Sequence, residues 1–366
     1  MPRTATALIA VLLSSTAGSA LAEFRYDVDG GGSVLFYGQF DPAFLYFDDG
    51  VESYRNLVDN VNSNSRFGLD FTQQYGENTF RFNFESAFGF RGSAGVSQLF
   101  KVDEFDWDRT NIRKVDFSLK TPIYGTFYVG QGSMATDGVA ENDLSGTTLV
   151  TYSSISDTAG AYLFRTSAGA LSTVAIGAVF SDLDSGRRGR IRYDTPSFAG
   201  FSLSAAYGEE ILDPNINATF SDIALKYNET LGDFKVNAGI AYSYRDGDTF
   251  NQEDTFGSVS VLHSSGFNGT LATGSRDGGG KYGYVKLGYI GNWIGAGTTA
   301  ISVDYYDGSD FLVAGSSSES FGIGAVQKID RLNLEAYLGY RSYAYSQVGA
   351  SFRDAESVLF GARFKF

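Results

Sequence analysis

The chain contains no cysteine and a single histidine, and these two absences exclude several kinds of site. Without cysteine there can be neither a disulfide bond nor a thiolate-bound metal ion. His263 alone cannot form a multi-histidine metal site, and it leaves little room for a histidine-based catalytic triad. No run of about 18 apolar residues occurs, so no transmembrane helix is expected. Proline (5) and methionine (2) are scarce as well.

Glycine and aromatic residues are abundant instead: the chain has 45 Gly, 23 Tyr and 31 Phe. This profile favours extended, aromatic-rich β-structure over a helical enzyme. Acidic residues (42) outnumber basic ones (28), giving a formal net charge of −14. Non-specific binding to nucleic acid is therefore not expected.

Residues 1–22 have the three parts of a secretory signal peptide. Arg3 supplies the positive charge, residues 5–13 form a short apolar run, and residues 20–22 (Ala-Leu-Ala) form a small-x-small cleavage site. An N-terminal membrane anchor is the alternative, but the apolar run is too short to span a bilayer. We expect cleavage after Ala22, export, and a mature chain of residues 23–366.

Most of that mature chain alternates between apolar and polar residues, the pattern of β-strands that have one apolar face. In residues 188–194, Arg188, Arg190 and Arg192 share one face, and Ile191 and Tyr193 share the other. About sixteen such strands can be counted. Short reversals alternate with longer connections, among them 48–64, 91–110 and 132–187. An even number of strands with the long loops at one end predicts an all-β, antiparallel transmembrane barrel.

A soluble β-sandwich would show the same alternation with its faces reversed. Three features favour the membrane barrel. Aromatic residues occur at many strand ends, as they do at membrane interfaces. The polar faces carry charges of both signs, which suits a wet lumen. The chain ends within a strand, on Phe366.

Residues 132–187 interrupt the alternation, have no clean period, and carry six acids: Asp137, Glu141, Asp143, Asp157, Asp182 and Asp184. The row of arginines at 188–192 cannot face lipid or a dry core, so it needs water or acids in front of it. We interpret the stretch as a long loop whose acids face this row inside the barrel. If two segments within 148–180 joined the wall, the barrel would have eighteen strands.

Several segments resemble the trimeric porins of Gram-negative outer membranes, and most closely their alphaproteobacterial branch. They are Leu35-Phe36-Tyr37-Gly38, Ser65-Arg66-Phe67-Gly68-Leu69, residues 124–131 (YGTFYVGQ), residues 192–201 (RYDTPSFAGF) and the terminal Phe366. The resemblance covers essentially the whole mature chain. It implies a sixteen-stranded barrel in the outer membrane, a homotrimer, and passive diffusion of ions and small hydrophilic solutes. It also implies that the long third loop folds into the lumen and narrows it.

The resemblance assigns the constriction residue by residue. Loop acids Asp137, Glu141 and Asp143 would face inward-pointing arginines of the wall, which are Arg66, Arg81, Arg188, Arg190 and Arg192. For the arginines at 188–192, bracing the folded loop through its acids remains the alternative role. For each acid, the alternative is a solvated surface loop.

The remaining expectations concern partners and competing functions. The resemblance implies contact with outer-membrane lipid and lipopolysaccharide, and recognition of Phe366 by the barrel-assembly machinery. Phe105 and Trp107 make loop 91–110 a candidate latch onto a neighbouring subunit. No cofactor is expected, although acidic loop clusters such as those at 103–108 could bind calcium.

Two other functions stay open. One is a substrate-selective channel for sugars or anions, in which Tyr162 and Phe164 of the long loop could form an aromatic slide. The other is an outer-membrane hydrolase, which is the weaker alternative because the chain has no Gly-x-Ser-x-Gly elbow and no catalytic constellation that we could locate. We expect no enzyme activity.

Overall fold

The computed structural model describes residues 24–28, 30–100, 103–248 and 251–366, so the predicted signal peptide lies outside the described residues. The strands, numbered in chain order, are as follows: β1 Phe24–Val28, β2 Gly32–Phe40, β3 Pro42–Asp48, β4 Ser53–Asp59, β5 Arg66–Tyr75, β6 Asn78–Ala87, β7 Ile112–Thr121, β8 Gly125–Ser133, β9 Leu163–Arg165, β10 Leu171–Ala175, β11 Arg187–Asp194, β12 Phe201–Glu209, β13 Ala218–Leu231, β14 Phe234–Gly247, β15 Asn251–His263, β16 Phe267–Arg276, β17 Lys281–Ile294, β18 Gly297–Ser309, β19 Ser317–Ile329, β20 Leu334–Gln347, β21 Ala350–Ser351 and β22 Ala355–Lys365.

The described helices are all short. Two α-helices of one turn, α1 Ser156–Ala159 and α2 Ile176–Val179, lie in the long loop, and 3₁₀ turns occupy Val61–Ser63, Ser93–Gly95, Arg109–Asn111 and Asp330–Leu332. None of the helices in the described part of the chain is long and apolar enough to cross a membrane.

Twenty of the strands form one closed antiparallel sheet. Three wall strands are composite. β2 and β3 lie in line on either side of Asp41, and β4 and β5 lie on either side of the 3₁₀ turn at 61–63. The third consists of β22 and β1, which pair with β2 one after the other. Counting each composite once and leaving aside the two-residue β21, the wall has sixteen strands, as predicted.

The two chain ends close the barrel together. β22 reaches β2 at Gln39 and Phe40, and the backbone of Phe366 then exchanges two hydrogen bonds with Gly38. β1 continues the same row, from the pair Phe24 with Phe36 onward. The closing strand is therefore built from the first described residues and the last residues of the chain.

Residues 148–180 add nothing to the wall. β8 and β11 pair directly along eight residues, from Ser133 with Arg187 to Thr126 with Asp194, so no edge is left for another strand between them. β9 and β10 pair only with each other in a separate two-stranded sheet. The barrel is thus sixteen-stranded, and the eighteen-stranded alternative is wrong.

The expected long connection at 48–64 is also wrong in part, because residues 53–59 form β4 and pair with β3. Its inward residues include a polar one, Asn56, and an apolar one, Val58, and both are buried. A strand with mixed residues on its inner face has no clear alternation in sequence.

Elsewhere the predicted faces are confirmed. Ile191 is 62% exposed on the outside of the wall, whereas Arg190, its neighbour on the same strand, is 5% exposed on the inside. Many large apolar residues are exposed around the outer surface, for example Phe36, Ile240 and Leu287. An apolar outside around a polar inside is the reverse of a soluble β-sandwich.

Candidate pore constriction

Residues 134–186, here called the inner loop, run along the inside of the wall. From β8 the loop crosses the inner faces of β13, β15, β17 and β18 before it reaches β4. Polar contacts mark this path: Thr136 with Asp222, Asn142 with Ser258, Leu144 N–H with Ser260, and Thr147 and Thr151 with Ser302. Small serines on the inward faces of the strands let the loop backbone approach the wall closely.

A buried ion pair holds the middle of the inner loop. Lys286 Nζ on β17 lies 2.7 Å from Asp143 Oδ2, and it donates a 2.6 Å hydrogen bond to the carbonyl of Thr151. Both charged side chains are almost fully enclosed. Asp143, one of the predicted constriction acids, is thus placed in the contact between loop and wall, away from the water.

Aromatic packing holds the second half of the inner loop. The ring of Tyr162 stacks on Phe47 of β3 at 3.9 Å, and its hydroxyl accepts a 2.7 Å hydrogen bond from Asn56. Phe164 packs against Tyr345 and Phe352. Tyr162 and Phe164 are both fully buried, so they attach the loop to the wall and form no aromatic slide.

A group of carboxylates lies inside the inner loop itself. Ser154 Oγ lies within hydrogen-bond distance of both Glu141 Oε1 (3.1 Å) and Asp182 Oδ2 (2.9 Å), while Asp184 accepts hydrogen bonds from two backbone N–H groups of the loop. Burial, followed by the charge of Asp182, raises the pKa of Glu141 to about 8 and that of Asp157 to about 7. Burial also raises the pKa of Asp182, and burial together with the charge of Glu141 raises that of Asp184. Packing the loop therefore favours protonation of these acids.

Asp137 occupies a different position from the other two predicted acids. It is half-buried, next to the exposed Gly138, and its charge interacts with Arg113, Arg188 and Arg192 of the wall. Of the three loop acids predicted for the constriction, Asp137 is thus the one whose charge acts on the arginines of β7 and β11.

The three arginines of β11 that were predicted for the constriction bind mainly wall acids. Arg190 forms a two-pronged contact with Asp116 (2.9 and 3.0 Å), and Arg192 forms another with Asp194 (2.8 Å each). Arg188 lies 3.5 Å from Glu210. The expectation that acids of the inner loop pair with this row is wrong for these contacts. Strand pairing already holds the wall acids beside the arginines, so no loop residues need to be ordered to reach them.

The same arginines still brace the loop, through its backbone. Arg190 Nε donates to the carbonyl of Ser133, and Arg192 Nη1 donates to that of Met134 at 3.0 Å. These two carbonyls lie where the chain leaves β8 for the inner loop. The bracing alternative named acids of the loop, and the contacts shown are instead to backbone carbonyls at the start of the loop.

A second group of basic residues lines the wall that the loop leaves uncovered. Arg66 on β5 and Arg113 on β7 share one acid, Glu85 of β6, at 3.7 and 2.6 Å. Lys114 and Arg187 interact electrostatically with the same group. Of these four cations only Arg66 was singled out from the sequence.

A β-bulge explains why Arg113 was missed. Glu85 pairs with Lys114, but the next residue of β6 pairs with Ile112, so Arg113 is an extra residue in β7. Strict alternation would point it outward when Lys114 points inward, and a bulge removes that constraint. A charged residue directly beside another in a strand is the sequence signal that could have drawn attention to it.

Arg81 lies apart from these groups. Its strand partner is Thr72, close to the tight turn between Tyr75 and Asn78, and its guanidinium is paired with Asp70. About half of its side chain is exposed. The structure thus places Arg81 towards the short-turn end of the barrel, although its charge still acts on Lys114 of the Glu85 group.

Phe366 faces outward, where its ring lies 5.7 Å from that of Phe40. A side chain on Gly38 would come within 2.5 Å of the Phe366 ring, so the absence of one leaves room for the closing contact. Its recognition by the assembly machinery stays a prediction.

The comparisons with known proteins agree with this geometry. Residues 4–347 match the family model of the Gram-negative porins. No curated protein sequence matches the chain. Among solved structures, the chain is similar to the anion-selective porin from Comamonas acidovorans, with 17% identity, a TM-score of 0.60, and coverage of 92% of this chain and 100% of that one.

It is also similar to two other outer-membrane proteins. The trimer form of OmpT from Vibrio cholerae has 16% identity and a TM-score of 0.57, covering 92% of this chain and 99% of that one. Salmonella typhi OmpF, in complex with daunomycin, has 14% identity and a TM-score of 0.59, covering 93% and 100%. At these identities the structures show the shared fold, and the family match covers nearly the whole chain. The chain therefore belongs to the Gram-negative porin family and is a transmembrane β-barrel of the outer membrane.

Proposed function

We propose that this porin is a general diffusion channel for ions and small hydrophilic solutes. The observation that carries the proposal is the asymmetric lining of the lumen. The inner loop covers the wall from β13 round to β3 and β4, and the wall of β5, β6, β7 and β11 keeps partly exposed basic side chains. Water and solutes pass between the rim of the loop and this uncovered wall.

Charges of opposite sign face each other across that passage. Asp137 stands on the loop side, and the basic residues of β7 and β11 stand on the wall side. Their field orients water across the direction of flow, so an apolar solute that displaces this water loses favourable interactions. Fixed charges in a narrow passage also select between cations and anions.

The substrate-selective alternative receives less support. Its aromatic slide required Tyr162 and Phe164 to face the passage, and both are fully buried. The family and the fold point to a non-enzymatic channel, which favours the pore over the hydrolase.

A homotrimer in contact with lipid and lipopolysaccharide belongs to the same proposal. One structurally similar protein, OmpT of Vibrio cholerae, is described in a trimer form. In this chain the loop after β6 exposes Leu99, Phe100, Phe105 and Trp107. Such a patch on one connection suits contact with a neighbouring subunit. Exchange of Phe105 and Trp107 for serine should weaken a trimer that resists dissociation in mild detergent electrophoresis.

Single-channel recording tests the channel itself. Refolded protein is added to a planar bilayer in potassium chloride, with retarded heat-modifiable migration as proof of folding. We expect large ohmic steps that close in groups of three. A folded barrel that gives no steps contradicts the diffusion channel and favours a gated or plugged one.

A further inference from the structure

The basic residues of the lumen differ in how completely their charges are neutralised. Arg190 and Arg192 each have their own acid within 3.0 Å, namely Asp116 and Asp194. Arg66, Arg113, Lys114 and Arg187 form a group around the single carboxylate of Glu85. Besides Glu85, Asp59 acts on Arg66 and Asp137 acts on Arg113, so the four positive charges exceed the three negative ones by one.

Glu85 is already fully used. Oε1 accepts from Arg113 Nε at 2.6 Å, and Oε2 accepts from the hydroxyl of Tyr37 at 3.0 Å and lies 3.7 Å from Arg66 Nε. The side chain of Glu85 is only 6% exposed. It therefore sits behind the cations and cannot neutralise Arg187 and Lys114 by direct contact as well.

Arg187 supplies a free donor. Its Nε is buried and has no hydrogen-bond partner within the described part of the chain. A buried guanidinium N–H without an acceptor is costly, and an oxygen of an anion would satisfy it. Arg187 stands at the first residue of β11, where the inner loop rejoins the wall, so the donor lies at the level of the loop.

From these contacts we propose that Arg66, Arg113, Lys114 and Arg187 form a binding subsite for small oxyanions in the passage, and that the pore prefers anions. The planar forks of three guanidinium groups suit the oxygens of phosphate, sulfate or carboxylate. This inference rests on the proposed channel function. The net charge of −14 does not oppose it, because charges outside the passage are screened beyond about 10 Å at 0.1 M salt.

The test combines ion selectivity with block by an oxyanion. Single channels are recorded under a tenfold potassium chloride gradient, and sodium sulfate is then added to one side. We expect the reversal potential to lie towards the equilibrium potential of chloride, and we expect sulfate to reduce the chloride current. Lys114→Gln and Arg187→Gln should each lower the chloride-to-potassium permeability ratio roughly twofold to fivefold, the effect of one charge at close range in water. Both should weaken the sulfate block.

Two further variants separate the subsite from general surface charge. Glu85→Gln removes the shared acid and should raise the permeability ratio. Lys120→Gln removes the same charge from the exposed end of the same strand, β7, and should change the ratio least. Should Glu85→Gln fail to fold, the pair Lys114→Gln and Lys120→Gln still decides the question.

The outcomes distinguish the two proposals. A folded wild-type barrel without conducting steps overturns the diffusion channel. Normal steps with a cation-side reversal potential overturn the anion preference. Equal effects of Lys114→Gln and Lys120→Gln, with sulfate block unchanged in both, overturn the subsite and leave the channel intact.

Discussion

The covered and the uncovered halves of the lumen wall use polar residues in opposite ways. On the covered half, inward residues of β15, β17 and β18 are buried under the inner loop and bind it, as Ser260, Lys286 and Ser302 do. On the uncovered half, inward residues such as Arg66 and Arg113 stay about one-fifth exposed. The same alternation of strands thus produces a docking surface on one side and a charged wall on the other. What differs is whether a loop lies in front of the strand.

Breaking the buried ion pair between Lys286 and Asp143 should have the largest effect on the difference between the covered and the uncovered wall. Lys286→Met leaves Asp143 charged and buried without its partner, which costs about 3–5 kcal/mol in comparable sites. We expect the inner loop to leave the wall, so that limited proteolysis cuts within 134–186 and channel current becomes noisy.

The double variant Lys286→Met with Asp143→Asn is the control for that experiment, since it leaves no unpaired charge. It should recover most of the lost protection. If Lys286→Met alone leaves the loop protected, the ion pair does not anchor it.

Adding a side-chain atom between the wall and the inner loop should have a moderate effect on the stability of the docked loop. Val150 of the loop packs over Gly339 of β20, where an added Cβ would lie 2.6 Å from the Val150 side chain. Gly339→Ala should therefore destabilise the docked loop by about 1–3 kcal/mol, as overpacking does. Gly283→Ala is the matched control, because an added Cβ there meets nothing within 4 Å. Protease protection of the inner loop is measured for both variants at increasing urea concentrations. Equal protection in the two variants would show that Val150 does not pack closely on Gly339.

Acidic pH should tighten the loop. Its packed state raises the pKa of Glu141 to about 8 and that of Asp157 to about 7, above the ordinary carboxyl range near 4. Packing therefore takes up protons, so its stability is greatest at low pH and declines as pH rises from about 4 to about 8, with no further change above. Protease protection of 134–186 should accordingly fall between pH 5 and pH 8, a window that follows from these two values. Glu141→Gln should flatten this dependence, and an unchanged slope would exclude Glu141 as its source.

Removing Arg81 should have the smallest effect. Its pair with Asp70 is half exposed and lies near the short turn between β5 and β6. Exposed ion pairs contribute roughly 0–1 kcal/mol, so Arg81→Gln should change stability by no more than that. Conductance and ion preference should stay close to wild type. A large selectivity change would place Arg81 in the constriction, as the family resemblance implied.

Much of the wall could be read from residue order. The face of Arg188, Arg190 and Arg192 opposite Ile191 and Tyr193 follows from the period of a strand, as does the outward position of Phe36 and Phe40. Strand number was predictable because the short and long reversals alternate. Asn56 and Val58 on β4 were not assigned to a strand, because a wall packed against an inner loop has no polar face to reveal it.

The candidate site was predictable only in kind. Loop acids and wall arginines were expected, but the partners differ. Arg190 binds the wall acid Asp116, and Asp143 binds Lys286. Of the three predicted acids, Asp137 is the one whose charge acts on wall arginines. Arg113 reaches the lumen through a bulge, which alternation does not predict. Arg187 became a candidate because its buried Nε has no hydrogen-bond partner among the described residues, and a sequence pattern cannot predict that.

The order of residues was enough to predict the membrane barrel, since a two-residue period and apolar outer faces are local properties of each strand. The tertiary structure decided the pore. Which half of the wall the inner loop covers depends on contacts between residues more than a hundred positions apart, such as Asp143 with Lys286 and Asn142 with Ser258. Such contacts form only when the closed wall brings those residues together, and they determine which charges remain in water.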